Sequence, residues 1–358
     1  MLILTIVVFI GLLLILVLVH EWGHFIVAKK SGCNVEEFAF GFPPRLFSYK
    51  WGDTRYVFNL LPIGGYVKIE GEDMQEAHPG EKSFATKSVP WRISILAAGV
   101  FMNIVLAVFL LTIQSVVGVP SLANDANIDK ITDIKTFIVD IDKNSPAELA
   151  GMESLDRVVM IGGIMNPTID KIRDQVSVAN GKELMVEIDR AGVHRTLSLS
   201  PRLNPPPGEG ALGVALRETG LVKEKWYLAP LGGVKRTWEM LSAIIYQFGL
   251  IVQRLFTGGV AGETVTGPIG IAVYTNEVTN LGLPYVLEFA ALISINLAII
   301  NILPFPALDG GRIMFVLFEA IFGRKLPGKI EQVSHLAGFG LLILLMIVIT
   351  WRDVTKYF

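Results

Sequence analysis

Long apolar segments constrain the fold of this chain more than any other feature of its sequence. Four of them are long enough to cross the hydrocarbon core of a bilayer as helices, and they lie within residues 1–27, 93–119, 285–309 and 335–352. Only 18% of the 358 residues are charged, whereas soluble proteins carry about a quarter. We therefore expect a polytopic α-helical membrane protein with about four transmembrane helices.

A metal-binding pattern ends the first apolar segment, where His20, Glu21 and His24 spell H-E-x-x-H. On a helix the two imidazoles lie one turn apart on one face and can reach a single Zn²⁺ ion. Glu21 is then placed to take a proton from metal-activated water. The alternative is that the three side chains only rest at the headgroup level, but ionisable residues in membrane spans are costly and by default functional.

Composition excludes several classes of protein and of site. The net charge of −2 gives no nucleic-acid signature. The single cysteine, Cys33, rules out an internal disulfide and any cysteine-based zinc cluster. Residues 1–27 lack the basic n-region and the small-residue cleavage site of a signal peptide, so we expect a retained span.

Basic residues in short connections predict the orientation, because such connections stay on the cytoplasmic side. Residues 28–92 and 310–334 are rich in Lys and Arg, so both are expected to be cytoplasmic. The long segment between the second and third spans and both termini are then extracytoplasmic. With four spans, Asp309 lies at the same membrane depth as the His pair.

Residues 238–256 are apolar enough to be mistaken for a fifth span. A fifth span would put the His pair and Asp309 on opposite faces, so we interpret this stretch as an amphipathic helix on the outer surface. Residues 204–284 are therefore predicted to hold a linker and this surface helix. The linker begins with the proline-rich residues 203–208.

Between Val35 and Ile69 the pattern changes to aromatic and β-branched residues broken by turns, with a hairpin tip at residues 51–54. We expect a sheet at the membrane face near the His pair. An open edge there could hold an unfolded substrate by backbone hydrogen bonds, with Gly64 and Gly65 as substrate-binding residues. The alternative is a purely structural hairpin.

A small α+β module is predicted for residues 128–203, on the extracytoplasmic side. Its helix is expected to begin at the Ser145-Pro146 cap and to stop at Gly151. The β-like runs are residues 136–140, 157–161, 184–189 and 196–200.

A catalytic zinc site usually takes a third protein ligand. His78, His194 and His335 are better explained as solvated or interfacial histidines. Asp309 is the better candidate, because two prolines break the third span just before it and irregular backbone at membrane depth normally lines a cavity. The alternative for Asp309 is an ordinary N-cap of a helix from Ile313 onward.

Three motifs together resemble the site-2 protease family of intramembrane zinc metalloproteases, over essentially the whole chain. They are H-E-W-G-H in the first span, N-I-L-P-F-P-A-L-D-G from Asn301, and S-P-A-E-L-A-G-M from Ser145. The G-P-I-G stretch from Gly267 resembles the family's G-P segment as well.

The resemblance implies zinc bound by His20, His24 and Asp309, with Glu21 as catalytic acid/base. By motif position it also implies that Asn301, and Asn296 with it, lies near the substrate backbone. For residues 128–203 it implies a PDZ domain, and after the first span a membrane-reentrant β-sheet. Two features depart from the family pattern. One PDZ module is expected where well-known members carry two, and Leu155-Asp156 stands where such domains usually have Gly-Asp.

The predicted function is proteolysis of single-pass membrane proteins within or near the bilayer, as the second cleavage of regulated intramembrane proteolysis. Expected partners are zinc, lipid and substrates such as an anti-sigma factor or remnant signal peptides, in a bacterial cytoplasmic membrane. A metal transporter and a non-catalytic membrane adaptor are the rival interpretations. The transporter interpretation gives Glu21 no role. The intact set of candidate metal ligands argues against the adaptor interpretation.

Overall fold

The structure is a computed structural model. It describes residues 2–72, 80–122, 131–190, 192–257, 267–324 and 327–357. The chain forms two compact units. We call residues 1–112, 230–279 and 286–358 the helical unit, and residues 113–229 and 280–285 the middle unit.

The helices, in chain order, are α1 (Leu2–Lys30), α2 (Val89–Val117), α3 (Pro146–Leu149), α4 (Ile169–Ala179), α5 (Ala229–Thr257), α6 (Pro268–Leu281), α7 (Leu283–Ile302), α8 (Asp309–Phe322) and α9 (Gly328–Tyr357). The strands are β1 (Val35–Trp51), β2 (Thr54–Ile69), β3 (Val119–Leu122), β4 (Ile131–Ile141), β5 (Arg157–Ile161), β6 (Ile164–Met165), β7 (Leu184–Arg190), β8 (Val193–Leu199) and β9 (Val214–Val222).

Four helices in the described part of the chain are long and apolar enough to cross a membrane. They are α1, α2, α7 and α9. The expectation of about four such helices is thereby confirmed. α5 is not among them, because charged and polar residues recur along its 29 residues.

The third and fourth apolar helices are joined differently from what the sequence suggested. Residues 310–334 were predicted to be a loop, with any helix beginning only at Ile313. Instead α8 begins at Asp309 and runs to Phe322. Gly310 and Gly311 do not break this helix, since their missing side chains let its first turn pack directly onto the backbone of residues 302–306.

Small residues bring α1 and α2 into close contact. A Cβ on Gly23 would lie 2.4 Å from the carbonyl oxygen of Ala98, so only glycine permits this approach. Next to it, α7 joins α2 through a hydrogen bond from the Ser294 hydroxyl to the Asn103 carbonyl oxygen, 2.8 Å. An apolar cluster that includes Leu16, Leu106 and Ala290 fills the space between the three helices.

α5 packs one face on α2. A Cβ on Gly233 would lie 2.2 Å from the Thr112 hydroxyl, and Met240, Leu241 and Ile244 pack on an apolar cluster of α2 and α7 residues. Its other face exposes large side chains such as Trp238. The helix is therefore amphipathic, as its sequence indicated.

β1 and β2 form an antiparallel sheet that turns at Gly52-Asp53, at the predicted hairpin tip. Both strands bend, so residues 37–40 pair with residues 65–68 on one side and with residues 55–58 on the other. Glu37 ties the bent strands together, because its carboxylate accepts hydrogen bonds from Arg45, Arg55 and Tyr66. Burial, with the hydrogen bond to Glu37, raises the pKa of Tyr66, which keeps the phenol a donor.

The middle unit holds a seven-stranded sheet in the order β3-β9-β4-β5-β7-β8, with β6 on β5. The predicted boundaries of 128–203 were too short at the C-terminal end. β9 pairs along most of β4, although the proline-rich residues 203–208 had indicated an exit linker. Arg202 N–H donates to the Ala211 carbonyl oxygen, so the proline stretch is a loop that returns to the sheet.

The predicted short helix of this unit is present as α3. The Ser145 hydroxyl accepts from Glu148 N–H and caps its N-terminus, and Gly151 follows at φ +81°. Leu155 then adopts φ +73°, in the left-handed region. The buried carboxylate of Asp156 accepts hydrogen bonds from Glu153 N–H and from Arg190.

Candidate metal centre

Three possible metal-ligand atoms, two from α1 and one from the start of α8, lie close together. His20 Nε2 and His24 Nε2 lie 3.2 Å apart, and Asp309 Oδ2 lies 3.2 Å from the first and 3.5 Å from the second. Both imidazoles are buried, and Asp309 Oδ2 is buried without a hydrogen-bond partner. The structure therefore brings together the three residues predicted as metal ligands.

The triangle has the size that zinc requires. In a tetrahedral site with bonds of about 2.0–2.1 Å, neighbouring ligand atoms lie about 3.3 Å apart, close to the three measured separations. Two neutral imidazole nitrogens and one carboxylate oxygen are a common catalytic zinc set, which leaves the fourth position for water. The unpaired Asp309 Oδ2 is explained by the same ion, since a buried carboxylate oxygen otherwise needs a donor.

α2 forms the wall of the site behind the two imidazoles. A Cβ on Gly99 would lie 2.3 Å from His24 Nε2 and 2.8 Å from His20 Nε2, so any side chain there would occupy the space of the metal ligands. Glycine at this position is required by the close approach of the two helices.

Hydrogen bonds to the second ring nitrogens orient both imidazoles. His24 Nδ1 lies 2.8 Å from the Ile95 carbonyl oxygen, which fixes the proton on Nδ1 and leaves Nε2 free to bind a metal. His20 Nδ1 lies 3.3 Å from the side-chain amide of Asn103, a fully buried residue. The Asn103 Oδ1 atom has no hydrogen-bond partner on the other side of the amide. A half-turn of the amide presents Oδ1 to His20 and supplies the acceptor that His20 Nδ1–H needs.

A compact loop after the end of α7 places Asp309, the third predicted ligand, beside the two histidines. The two prolines of residues 303–308 end that helix, and α8 starts at once at Asp309. A Cβ on Gly310 would lie 2.2 Å from the carbonyl oxygens of Ile302 and Leu303, and one on Gly311 would lie 2.3 Å from that of Phe305. α8 is also joined to α2 by an ion pair between Glu319 and the buried Arg92, 2.7 Å.

Glu21 lies between the ligand triangle and the sheet. It follows His20 in α1, and a Cβ on Gly65 would lie 3.4 Å from its Cγ. The charges of Asp309 and of Arg312 act on its carboxyl group. Arg312 is itself paired with Glu72, just after β2.

The remaining predicted site residues have different surroundings. Asn301 Nδ2 lies 3.5 Å from His20 Nε2, at the rim of the site. Asn296 donates to the Leu292 carbonyl oxygen of its own helix, 2.9 Å, so this bond does not link it to the ligands. Gly64 adopts φ +93°, and its missing side chain leaves room for the Phe42 ring.

Comparison with known proteins shows the family of the chain. The family model of Peptidase family M50 matches residues 8–345. The chain belongs to peptidase family M50. Two relatives are the zinc metalloprotease RasP of Oceanobacillus iheyensis, 31% identical, and the regulator of sigma-W protease RasP of Bacillus subtilis, 28% identical. Each alignment covers 99% of both chains.

This M50 peptidase is a zinc metalloprotease of the site-2 protease type, so the predicted enzyme class and cofactor are confirmed. The transporter and adaptor interpretations were wrong. Of the histidines that were not predicted as ligands, His194 lies on β8 and pairs with Glu187 of β7, and His335 lies on α9. His78 lies outside the described residues.

The sequence interpretation missed two residues that shape the metal site of this M50 peptidase. Neither Asn103 nor Gly99 was among the predicted site residues. A signal was present, because the two residues are four apart in α2 and therefore share one face. A buried amide within an apolar helix is costly unless it bonds to something, which points to a partner on another helix.

Proposed function

We propose that this peptidase cleaves single-pass membrane proteins within or near the bilayer, as the second cut of regulated intramembrane proteolysis. One observation carries the proposal: Glu21 lies between three metal-ligand atoms and the Gly65 segment of the sheet. Among the described residues, the strand segment 65–68 pairs with β1 on one side only, so its other edge is open to an added strand.

The substrate binds along this edge in an extended conformation, because a transmembrane helix must unwind before its peptide bonds can be cut. Backbone hydrogen bonds to β2 at Gly64 and Gly65 hold it, and the missing side chain of Gly65 allows its close approach to Glu21. His20, His24 and Asp309 would hold the zinc ion, which would supply Lewis-acid activation of water and of the scissile carbonyl. Glu21 takes the proton from the attacking water and returns it to the leaving amine.

Asn301 is the candidate for a further contact with the reacting peptide. Its amide N–H₂ group is 3.5 Å from His20 Nε2, where it can donate to the substrate carbonyl as negative charge develops on the oxygen. We assign Asn296 to the substrate path along α7, one and a half turns earlier. Its amide can line a polar route for water from the cytoplasmic side.

We infer that the chain is oriented with the metal centre near the cytoplasmic face and both termini outside. The excess of Lys and Arg in residues 28–92 and 310–334 supports this orientation. The middle unit is then extracytoplasmic, and we assign it as a PDZ domain that filters substrates by size or captures newly formed C-termini. Its mostly antiparallel sheet with two helices is compatible with this assignment.

The physiological substrates belong to the class of already shortened single-pass proteins. The relative from Bacillus subtilis is named a regulator of sigma-W protease, which supports an anti-sigma factor as one substrate. Remnant signal peptides have the same physical form, an apolar helix with short flanks, and we include them. The site of action is the bacterial cytoplasmic membrane.

The test is Glu21→Gln, which keeps the shape of the side chain but removes the proton acceptor. Purified Glu21→Gln protein should bind one zinc ion as the wild type does, and its cleavage of a single-pass substrate in proteoliposomes should fall by about 10²–10⁴-fold. The exposed Glu81, in the segment before α2, provides the control Glu81→Gln, which should cleave normally.

The same variant identifies substrates in cells. Membranes from Glu21→Gln cells should accumulate single-pass fragments, shortened on their outer side, that wild-type cells degrade. Undiminished proteolysis by Glu21→Gln would remove Glu21 from the mechanism. Loss of zinc from this variant would show instead that the carboxylate is a ligand.

A further inference from the structure

We propose that α9 positions the third metal ligand, through His335 and Gly338, which together fix the loop of residues 303–308. This inference rests on the metal centre proposed above. His335 was interpreted from the sequence as an interfacial histidine without a role in the site. The structure gives it a specific contact with the loop that precedes Asp309.

His335 accepts a hydrogen bond from the loop that carries Asp309. Its Nδ1 atom lies 2.9 Å from the backbone nitrogen of Ala307, two residues before Asp309. Because Nδ1 accepts, the imidazole is neutral and carries its proton on Nε2. The ring is held edge-on against Phe315 of α8, with ring centroids 5.5 Å apart, so both α8 and the loop define its orientation.

The hydrogen bond to His335 holds a strained part of the loop backbone. Ala307 adopts φ +79°, a left-handed conformation that is unfavourable for a residue with a Cβ. Of the other amide groups of the loop, those of Phe305 and Leu308 bond to carbonyls inside the loop, and that of Leu303 bonds to the Ile300 carbonyl oxygen at the end of α7. Among the described residues, the Ala307 amide is the one loop donor that bonds to a helix other than the adjoining α7.

Gly338 allows α9 to reach the loop. It lies three residues after His335 and therefore on the same face of the helix. A Cβ there would lie 2.4 Å from the Pro306 carbonyl oxygen and 2.8 Å from its carbon, a contact with backbone that cannot move aside cheaply. Gly340, two residues later, has open space around it. Of these two glycines, Gly338 therefore packs against the loop and Gly340 does not.

The metal site tolerates little displacement of its ligand atoms. A ligand set must be held within about 0.5 Å of the productive geometry, and Asp309 has no hydrogen bond to its Oδ2 that would hold it there. Gly310 and Gly311 pack on the loop backbone, so a shift of the loop moves the start of α8 and the carboxylate with it. His335 is thereby a positioning residue, not a ligand.

The experiment measures zinc affinity directly, by competition with a series of zinc chelators on the full-length protein in detergent. His335→Leu removes the acceptor and should weaken zinc binding by about tenfold or more. His335→Asn places an acceptor oxygen close to the position of Nδ1 and should restore most of the affinity. His194→Leu, which removes a histidine from the middle unit, should have no effect.

Gly338→Ala tests the same proposal without touching the histidine. It should weaken zinc binding by a similar factor of about ten, whereas the matched control Gly340→Ala should bind as the wild type does. Alanine is favoured over glycine in a helix, so neither variant is expected to disturb α9 itself. Gly338→Ala and Gly340→Ala therefore test the positioning role of α9 even if His335→Leu fails to fold.

Wild-type zinc affinity in both His335→Leu and Gly338→Ala would overturn the proposal. So would equal weakening in His335→Asn and His335→Leu, because the acceptor atom would then be irrelevant. A wild-type protein that bound no zinc would instead contradict the proposed metal centre, and the two failures are therefore distinct.

Discussion

At the scale of single residues, the most consequential buried polar group outside the ligand set is Asn103. It is fully buried in α2, with its amide 3.3 Å from His20 Nδ1. Zinc binding through Nε2 requires the proton of His20 to be on Nδ1, and an acceptor there stabilises that tautomer. Asn103 therefore orients His20 in the way that the Ile95 carbonyl oxygen orients His24.

We predict that Asn103→Leu, which matches the volume but removes the acceptor, lowers zinc affinity by about 10–100-fold. Asn103→Asp should bind zinc at least as tightly as the wild type, because a carboxylate is a stronger acceptor for Nδ1–H. Asn296→Leu is the matched control, since that asparagine bonds only to its own helix in the described contacts. Chelator competition provides the measurement, and unchanged affinity in Asn103→Leu would contradict the assignment.

At the scale of structural elements, the turn between α3 and β5 contains an avoidable strain. Leu155 adopts φ +73° and is 76% exposed, so its side chain contributes little burial to offset the conformation. Glycine, which the resemblance to PDZ domains led us to expect at this place, adopts a positive φ without strain. The buried Asp156 carboxylate fixes the turn from the following position.

Leu155→Gly should therefore stabilise the middle unit by about 0.5–1 kcal/mol. The substitution removes the backbone strain, and part of this gain is lost because glycine has a greater chain entropy in the unfolded state. Leu149→Gly provides the control at an equally exposed leucine in the helical conformation of α3. There the same substitution should destabilise by about 1 kcal/mol. Thermal unfolding of the full-length variants measures both, and a loss of stability in Leu155→Gly would be the contrary result.

Prediction from the sequence succeeded where local pattern decides the structure. The apolar runs predicted four helices, and the spacing of His20 and His24 placed two donors on one face of α1. It failed where packing between distant segments decides. His335 reaches Ala307 only because α9 folds back on the loop, and no periodicity encodes that contact. β9 was missed because prolines before it indicated a linker, whereas the loop they form returns to the sheet.

At the scale of the whole molecule, zinc is a cross-link. Its proposed ligands come from α1 and from the start of α8, nearly 290 residues apart in sequence, so the ion restrains two ends of the helical unit. A ligand bound at 100 times its dissociation constant stabilises the folded state by about 2.7 kcal/mol. All three ligand residues lie in the helical unit, and none lies in the middle unit.

Removal of zinc by a chelator should therefore lower the unfolding temperature of the helical unit by about 5 °C. Calorimetry of the detergent-solubilised protein should show this shift in wild type and in Glu21→Gln, but not in Asp309→Asn, which lacks a ligand. Leu155→Gly should move only the transition of the middle unit, and chelation only that of the helical unit. A single transition that responds to both changes would show that the two units unfold together. It would contradict the prediction that Leu155 affects only the stability of the middle unit and zinc only that of the helical unit.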